Sequence, residues 1–99
     1  MVVYEVNLEV QSEIDEDWRA WIRPHMAELI ALEGFQGAEL YEVEQESESK
    51  SRHYSVQYQV ENRASLDAYF KAHAPRLRQE GLERFGERFT ASRRIYRKL

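Results

Sequence analysis

The sequence contains no cysteine. Disulfides, thiolate metal sites, iron–sulfur clusters and a cysteine nucleophile are thereby excluded, and a reducing compartment suits the chain. Long apolar runs are missing as well. None approaches the roughly 20 residues that a membrane-spanning helix needs, and Val2, Val3 and Tyr4 stand where a signal peptide would carry positive charge. The expectation is a soluble cytoplasmic protein that does not engage membranes. Only four Gly and two Pro occur among 99 residues, which rules out collagen-like and low-complexity chains. What is present suffices for a core, since 42% of residues are hydrophobic and 12% aromatic. Area scaling for 11.8 kDa gives roughly 17,000 Å² exposed by the unfolded chain and roughly 5,900 Å² by a compact monomer. One domain over residues 1–99, stable without a metal or disulfide staple, is expected.

Positive charge is scarce in the first half. Residues 1–49 hold thirteen acids against Arg19 and Arg23, whereas residues 50–99 hold five acids against twelve bases. The net charge of −4 therefore hides a strong dipole. A basic half can mark a nucleic-acid surface, but such a surface calls for net positive charge or for aromatic residues interleaved with the bases. Here the acidic half would repel phosphates, so nucleic acid is not an expected partner. Attraction between the two halves, within one fold or across a symmetric dimer, accounts for the division.

Residues 2–10 alternate strictly, with Tyr4, Val6, Leu8 and Val10 on one face and Val3, Glu5, Asn7 and Glu9 on the other, the period of a half-buried strand. Ser12 is a candidate N-cap, followed by Asp15, Glu16 and Asp17 where the helix dipole favours acids. A helix is predicted from there to about Glu33, with Gly34 ending it and an apolar stripe of Trp18, Trp21, Ile22, Met26, Leu29 and Leu32. Pro24 predicts a kink or restart near residues 22–25. A second strand is expected over residues 37–46, a turn over residues 46–51, and a third strand carrying Tyr54, Val56, Tyr58 and Val60, the two strands forming a hairpin. Asn62 or Ser65 then caps a helix containing Leu66, Tyr69 and Phe70, which the Ala74–Pro75 step should halt. Pro75 opens a further helical stretch to Phe85, Gly86 stops it, and Phe89, Ala91 and Ile95 mark a fourth strand.

The order β-α-β-β-α-β, with an extra helical segment before the last strand, predicts a ferredoxin-like α+β two-layer sandwich on an antiparallel sheet. Strands one and three take the centre, and the acidic second and basic fourth strands the edges. One sheet face meets the helices. The other carries Glu5, Asn7, Glu9, Ser55, Gln57, Gln59, Thr90, Ser92 and Arg94, to be covered by water or by a second subunit. Glu39, Glu42 and Glu44 on one edge complement Arg88, Arg93 and Arg97 on the other, so a homodimer with facing sheets is expected.

Several chemistries lack their motifs. No His pair stands at i, i+3 or i+4, so no metal site is expected, and neither a G-x-S-x-G elbow nor a glycine-rich phosphate loop occurs. The candidates that remain are ligand-binding. His25 and His73 each fall on an apolar helix stripe, either as acid–base or ligand-contacting groups or as buried neutral imidazoles. Trp18, with Trp21, is either a stacking surface or core. Asn7, Gln57 and Arg94 gather on the second sheet face, where two amides and a guanidinium suit a small polar or anionic molecule or an interfacial hydrogen-bond network. No cofactor is called for, and no catalytic residue stands out.

The ordered set Tyr4-x-Val6, Trp18-x-x-Trp21, His25, Gly34-Phe35, Tyr54-x-Val56-Gln57-Tyr58, Ser65, Tyr69, Ala74-Pro75-x-Leu77-Arg78, Arg84-Phe85-Gly86-x-Arg88-Phe89 and Arg93 resembles a bacterial family of small single-domain proteins known as a domain of unknown function. The resemblance covers nearly the whole chain. It implies a ferredoxin-like fold of the dimeric α+β barrel type and no established reaction. The family more usually places a proline after the histidine, whereas here Pro24 precedes His25. More distantly, Asn7, Leu32-Glu33-Gly34-Phe35-x-Gly37 and Phe70-Lys71-Ala72-His73 are similar to antibiotic-biosynthesis and haem-degrading monooxygenases of the same barrel type. Two functions follow as expectations. One is a homodimeric barrel that binds a small polar molecule or a protein partner, and the other is a cofactor-independent or haem-linked monooxygenase-like enzyme.

Overall fold

The alternation of the first strand dictates the architecture. In the computed structural model, which describes residues 1–45 and 49–99, β1 (Val2–Gln11) lies inside a four-stranded antiparallel sheet of order β2-β3-β1-β4, with β2 at Phe35–Glu42, β3 at Ser51–Val60 and β4 at Phe89–Arg97. Tyr4 pairs with Tyr58 and Ile95, and Val6 with Val56 and Arg93, so one face is apolar through its centre except for Arg93 on β4. Three helices, α1 (Asp15–Ile30), α2 (Arg63–Ala72) and α3 (Ala74–Phe85), complete the second layer. Their buried residues Trp18, Ile22, Leu29, Leu66, Leu77 and Phe85 join Tyr4, Leu8, Val10, Val56, Tyr58 and Val60 in one core. The ferredoxin-like α+β reading and the placement of the edge strands hold.

Local details depart from the sequence reading for identifiable reasons. Ser12 does not cap the first helix; Ser12–Ile14 form a 3-10 turn, and no side chain caps α1. Instead the Tyr54 hydroxyl donates to Asp15 in the first turn of α1, while the Tyr54 ring stacks on fully buried Trp18 with centroids 4.7 Å apart. Pro24 does not interrupt α1. It sits on the exposed side together with Ala20, whose carbonyl loses its partner where water can replace it. The helix ends at Ile30 rather than Glu33.

The second strand starts earlier than residue 37 because of a bulge. Phe35 pairs with Val60 and Gly37 with Gln59, leaving Gln36 as the extra residue. Without it, Phe35 and the pair Ala38 and Leu40 would point to opposite faces; the bulge puts all three toward the helices. Residue 46, the expected end of the second strand, and half of the expected turn, residues 46–48, lie outside the described residues. Asn62 caps α2, its Oδ1 accepting from the Ser65 N–H at 2.9 Å. His73 separates α2 from α3, and Pro75 lies in the first turn of α3. Among the described residues no helix is long and apolar enough to cross a membrane.

Gly34 turns the chain from α1 into β2 with φ +84°, and its carbonyl accepts from the Glu61 N–H at 2.7 Å. A Cβ at this position would fall on the Ser65 side chain. Gly34→Ala is expected to cost about 2–4 kcal/mol through positive φ and overlap combined, measured by urea unfolding. Adding Ser65→Gly should return the overlap part and leave the backbone part.

Candidate functional site

The helix layer does not fill the apolar sheet face. Between α1, α3 and the β1–β4 side of the sheet lies a cavity of about 410 Å³, near the lower end of the roughly 300–1,000 Å³ usual for small-molecule sites. Its walls are apolar and aromatic, with Val6, Val56, Tyr58, Trp21, Leu77 and Phe89 prominent. Gly81 lets α3 pack closely against two of these walls. A Cβ there would lie 3.2 Å from Phe89 and 3.3 Å from Trp21, so any larger residue in this turn of α3 would press on two of the aromatic walls.

Few polar groups face the cavity, and they come from residues far apart in sequence. Tyr4, 1% exposed, presents its hydroxyl oxygen to Arg93 Nε at 3.0 Å and to an Arg78 Nη at 3.5 Å. Tyr69 stands beside it with ring centroids 5.9 Å apart. Burial, reinforced by Tyr4 and opposed by Arg78 and Arg93, pushes the Tyr69 phenol up to about 12, so it acts as a neutral hydrogen-bonding group. His25 forms part of the wall next to Trp21, the two rings stacked at 4.8 Å. Burial lowers the imidazole pKa, and Arg76 adds to that, against the opposing pull of Glu28 and Glu80. The imidazole is thus neutral at physiological pH and able to accept a proton. Arg76 bridges Glu28 at 2.8 Å and Glu80 at 2.9 Å, tying α1 to α3 across this side of the cavity.

The other sheet face holds a second polar assembly. Glu5 is only 5% exposed although no helix covers it. Its carboxylate accepts from Asn7 Nδ2 at 2.8 Å, Gln57 Nε2 at 3.1 Å, Ser55 Oγ at 3.2 Å, Arg94 Nε at 3.2 Å and the Tyr96 hydroxyl at 3.1 Å. Burial works to raise its pKa, but the hydrogen bonds from Asn7, Tyr96, Ser55 and Arg94 outweigh it and hold the carboxyl below its ordinary value. A shallower hollow of about 310 Å³ lies farther along this face, beside Asn7, Glu9, His53 and Ser92.

Of the residues singled out from sequence, Asn7, Gln57 and Arg94 do come together, around Glu5. His25 lines the cavity on the opposite side of the sheet. Trp18 is fully buried between α1 and β3 and lines neither space; its indole N–H has no partner among the described residues. His73 is half-buried at the α2–α3 junction, also outside both spaces. Sequence reasoning passed over Glu5, although alternation and register place it opposite Gln57 and Arg94. It also passed over Tyr4, Arg78 and Arg93 as a group. No pattern in the sequence signals that group, because it forms only when α3 packs beside the first and last strands.

All 99 residues match the family described as "Domain of unknown function (DUF4286)", and the chain belongs to it. Among solved structures, a putative antibiotic biosynthesis monooxygenase from Deinococcus radiodurans is similar with a TM-score of 0.75 at 13% identity, over 100% of this chain and 93% of that one. An ethyl tert-butyl ether D (EthD) family protein from Bacillus halodurans is similar with a TM-score of 0.68 at 16% identity, over the whole of both chains. At these identities the likeness is one of fold. No curated protein matches the sequence.

Glu5→Gln is expected to lower stability at neutral pH by about 1–3 kcal/mol, since five donors lose a charged acceptor. A carboxyl held below its ordinary pKa stabilises the fold above the unfolded value and ceases to do so as pH falls through the folded value. The wild type and the variant should therefore converge on acidification, as followed by urea unfolding in a pH series.

Proposed function

We propose that this protein binds a small molecule in the helix-side cavity and works as a homodimer. The observation that carries the binding reading is the cavity itself: about 410 Å³, apolar and aromatic, with a few polar groups converging on Tyr4 and His25. That is the composition by which small-molecule sites fix orientation without losing apolar contact. Asn7, Gln57 and Arg94 are engaged with Glu5 on the far side of the sheet, and their role is assembly. Tyr41, Val43 and Tyr96 also lie on that open face, each more than 40% exposed. The chain exposes 6679 Å², roughly 800 Å² above the area expected of a compact monomer, a surplus of the size that one partner buries in a standard interface. Acidic β2 and basic β4 supply complementary edges for a two-fold pairing of sheets.

An enzyme acting on the bound molecule is the second reading, favoured by the neutral imidazole of His25 in the cavity wall. In the Deinococcus protein the corresponding fold goes with a putative monooxygenase. Of the two versions, the cofactor-independent one fits this chain. His73 stands outside the cavity and His25 is stacked on Trp21, so the residues present do not form a haem ligand set around this space.

Neutral aromatic probes such as indole and naphthalene are expected to shift NMR resonances of Val56, Tyr58 and Ala91. Ala91→Phe, which fills the cavity from an edge strand, should weaken that binding by about tenfold or more, or at least 1.4 kcal/mol, with the fold retained. Probes that bind wild type and variant alike would place the site elsewhere. Sedimentation at micromolar concentration and moderate salt should give twice the 11.8 kDa of one chain, and Tyr96→Asp should return the monomer. A wild-type monomer would remove the assembly part.

A further inference from the structure

From the pair of guanidiniums at the cavity, we infer that the ligand is an acid: a compact, ring-bearing molecule with a single carboxylate, its ring in the cavity and its carboxylate on Arg78 and Arg93. This deepens the small-molecule reading above and rests on it.

Three observations point the same way. Arg78 comes from α3 and Arg93 from β4, yet both reach one atom, the Tyr4 hydroxyl oxygen. Two cations converging on one hydroxyl oxygen repel each other, and an anion between them would relieve that repulsion. Among the described residues neither forms an ion pair with a carboxylate, as is also true of Arg23, Arg84, Arg88 and Arg97, but only these two bring their guanidiniums to one shared acceptor. An anion is what this pair lacks.

The second observation is the number of N–H groups left over. A guanidinium carries five donors in a planar fork, and each of these gives one to Tyr4. The remaining donors can take the two oxygens of a carboxylate. The third is the cavity's body. Tyr58, Trp21 and Phe89 wall a space sized for one or two rings, and Arg78, which also lines it, has its guanidinium carbon 5.9 Å from the Phe70 ring centroid. Apolar walls without the arginine pair would favour a neutral ligand, and the pair without the walls would favour a free inorganic ion. Together they select an aromatic or alicyclic carboxylate.

The experiment compares 2-naphthoate with its neutral isostere 2-naphthamide by isothermal titration calorimetry on the wild-type protein. Naphthoate is expected to bind at least tenfold more tightly, with the advantage shrinking as salt is raised. Arg93→Gln and Arg78→Gln, both at exposed positions, should each weaken naphthoate at least fivefold while leaving naphthamide within twofold; the double variant should erase the preference. Equal affinity for the two probes, or a preference unchanged in both variants, would overturn the carboxylate inference and leave the cavity as a neutral site. Failure of both probes to bind would overturn the cavity reading and the inference with it.

Discussion

The two-residue period of β1 is the constraint on which everything else in this molecule depends. β1 is paired along its length on both sides, to β3 and to β4, so none of its side chains can change face without a slip that would move all of them. Its even-numbered residues enter the core and the cavity; its odd-numbered ones form the open face. Tyr4 and Glu5 are neighbours in sequence and the centres of two separate polar assemblies on opposite sides of one sheet. β1 thereby fixes the distance between a candidate ligand site and a candidate assembly surface at the thickness of a single strand.

That adjacency has a mechanical consequence. Arg93 and Arg94 repeat on β4 the division that Tyr4 and Glu5 make on β1: Arg93 donates to Tyr4, Arg94 to Glu5. Two cross-strand polar contacts, one per face, thus tie β4 to β1 over the same short stretch. β4 is an edge strand and most of its residues are exposed; strands of this kind open at lower free energy than central ones.

The fold was legible because its signals are periodic and redundant. Alternation in residues 2–10 and 54–60, the apolar stripe from Trp18 to Leu29, Asn62 before α2 and Pro75 at the start of α3 all name their elements without help from tertiary structure. The failures were at junctions, where one residue's role depends on a distant neighbour. Ser12 has the chemistry of a cap, but Tyr54 reaches Asp15 across the layers. Pro24 removes a hydrogen bond, but only on the solvent side of α1. The bulge at Gln36 exists because Phe35, Ala38 and Leu40 must share a face, a demand that residues 35–40 reveal only once β3 is in place.

The candidate site was legible by halves, for the same reason. Residues that meet through strand register, such as Asn7, Gln57 and Arg94, can be brought together from alternation and strand order alone, and Glu5 was within reach of the same logic. Residues that meet through helix packing cannot. Arg78 could face solvent or the sheet depending on the rotation of α3, and an arginine on a helix is most often a solvated side chain. Gly81 carries the decisive clue in retrospect. A glycine inside a helix costs about 1 kcal/mol relative to alanine, and here a Cβ would crowd Phe89 and Trp21 rather than fill empty space. Arg78, on the same helix, lines the cavity and reaches Tyr4. Alternation in β1 supplies one wall of the cavity, and the packing of α3 decides which helix side chains reach it.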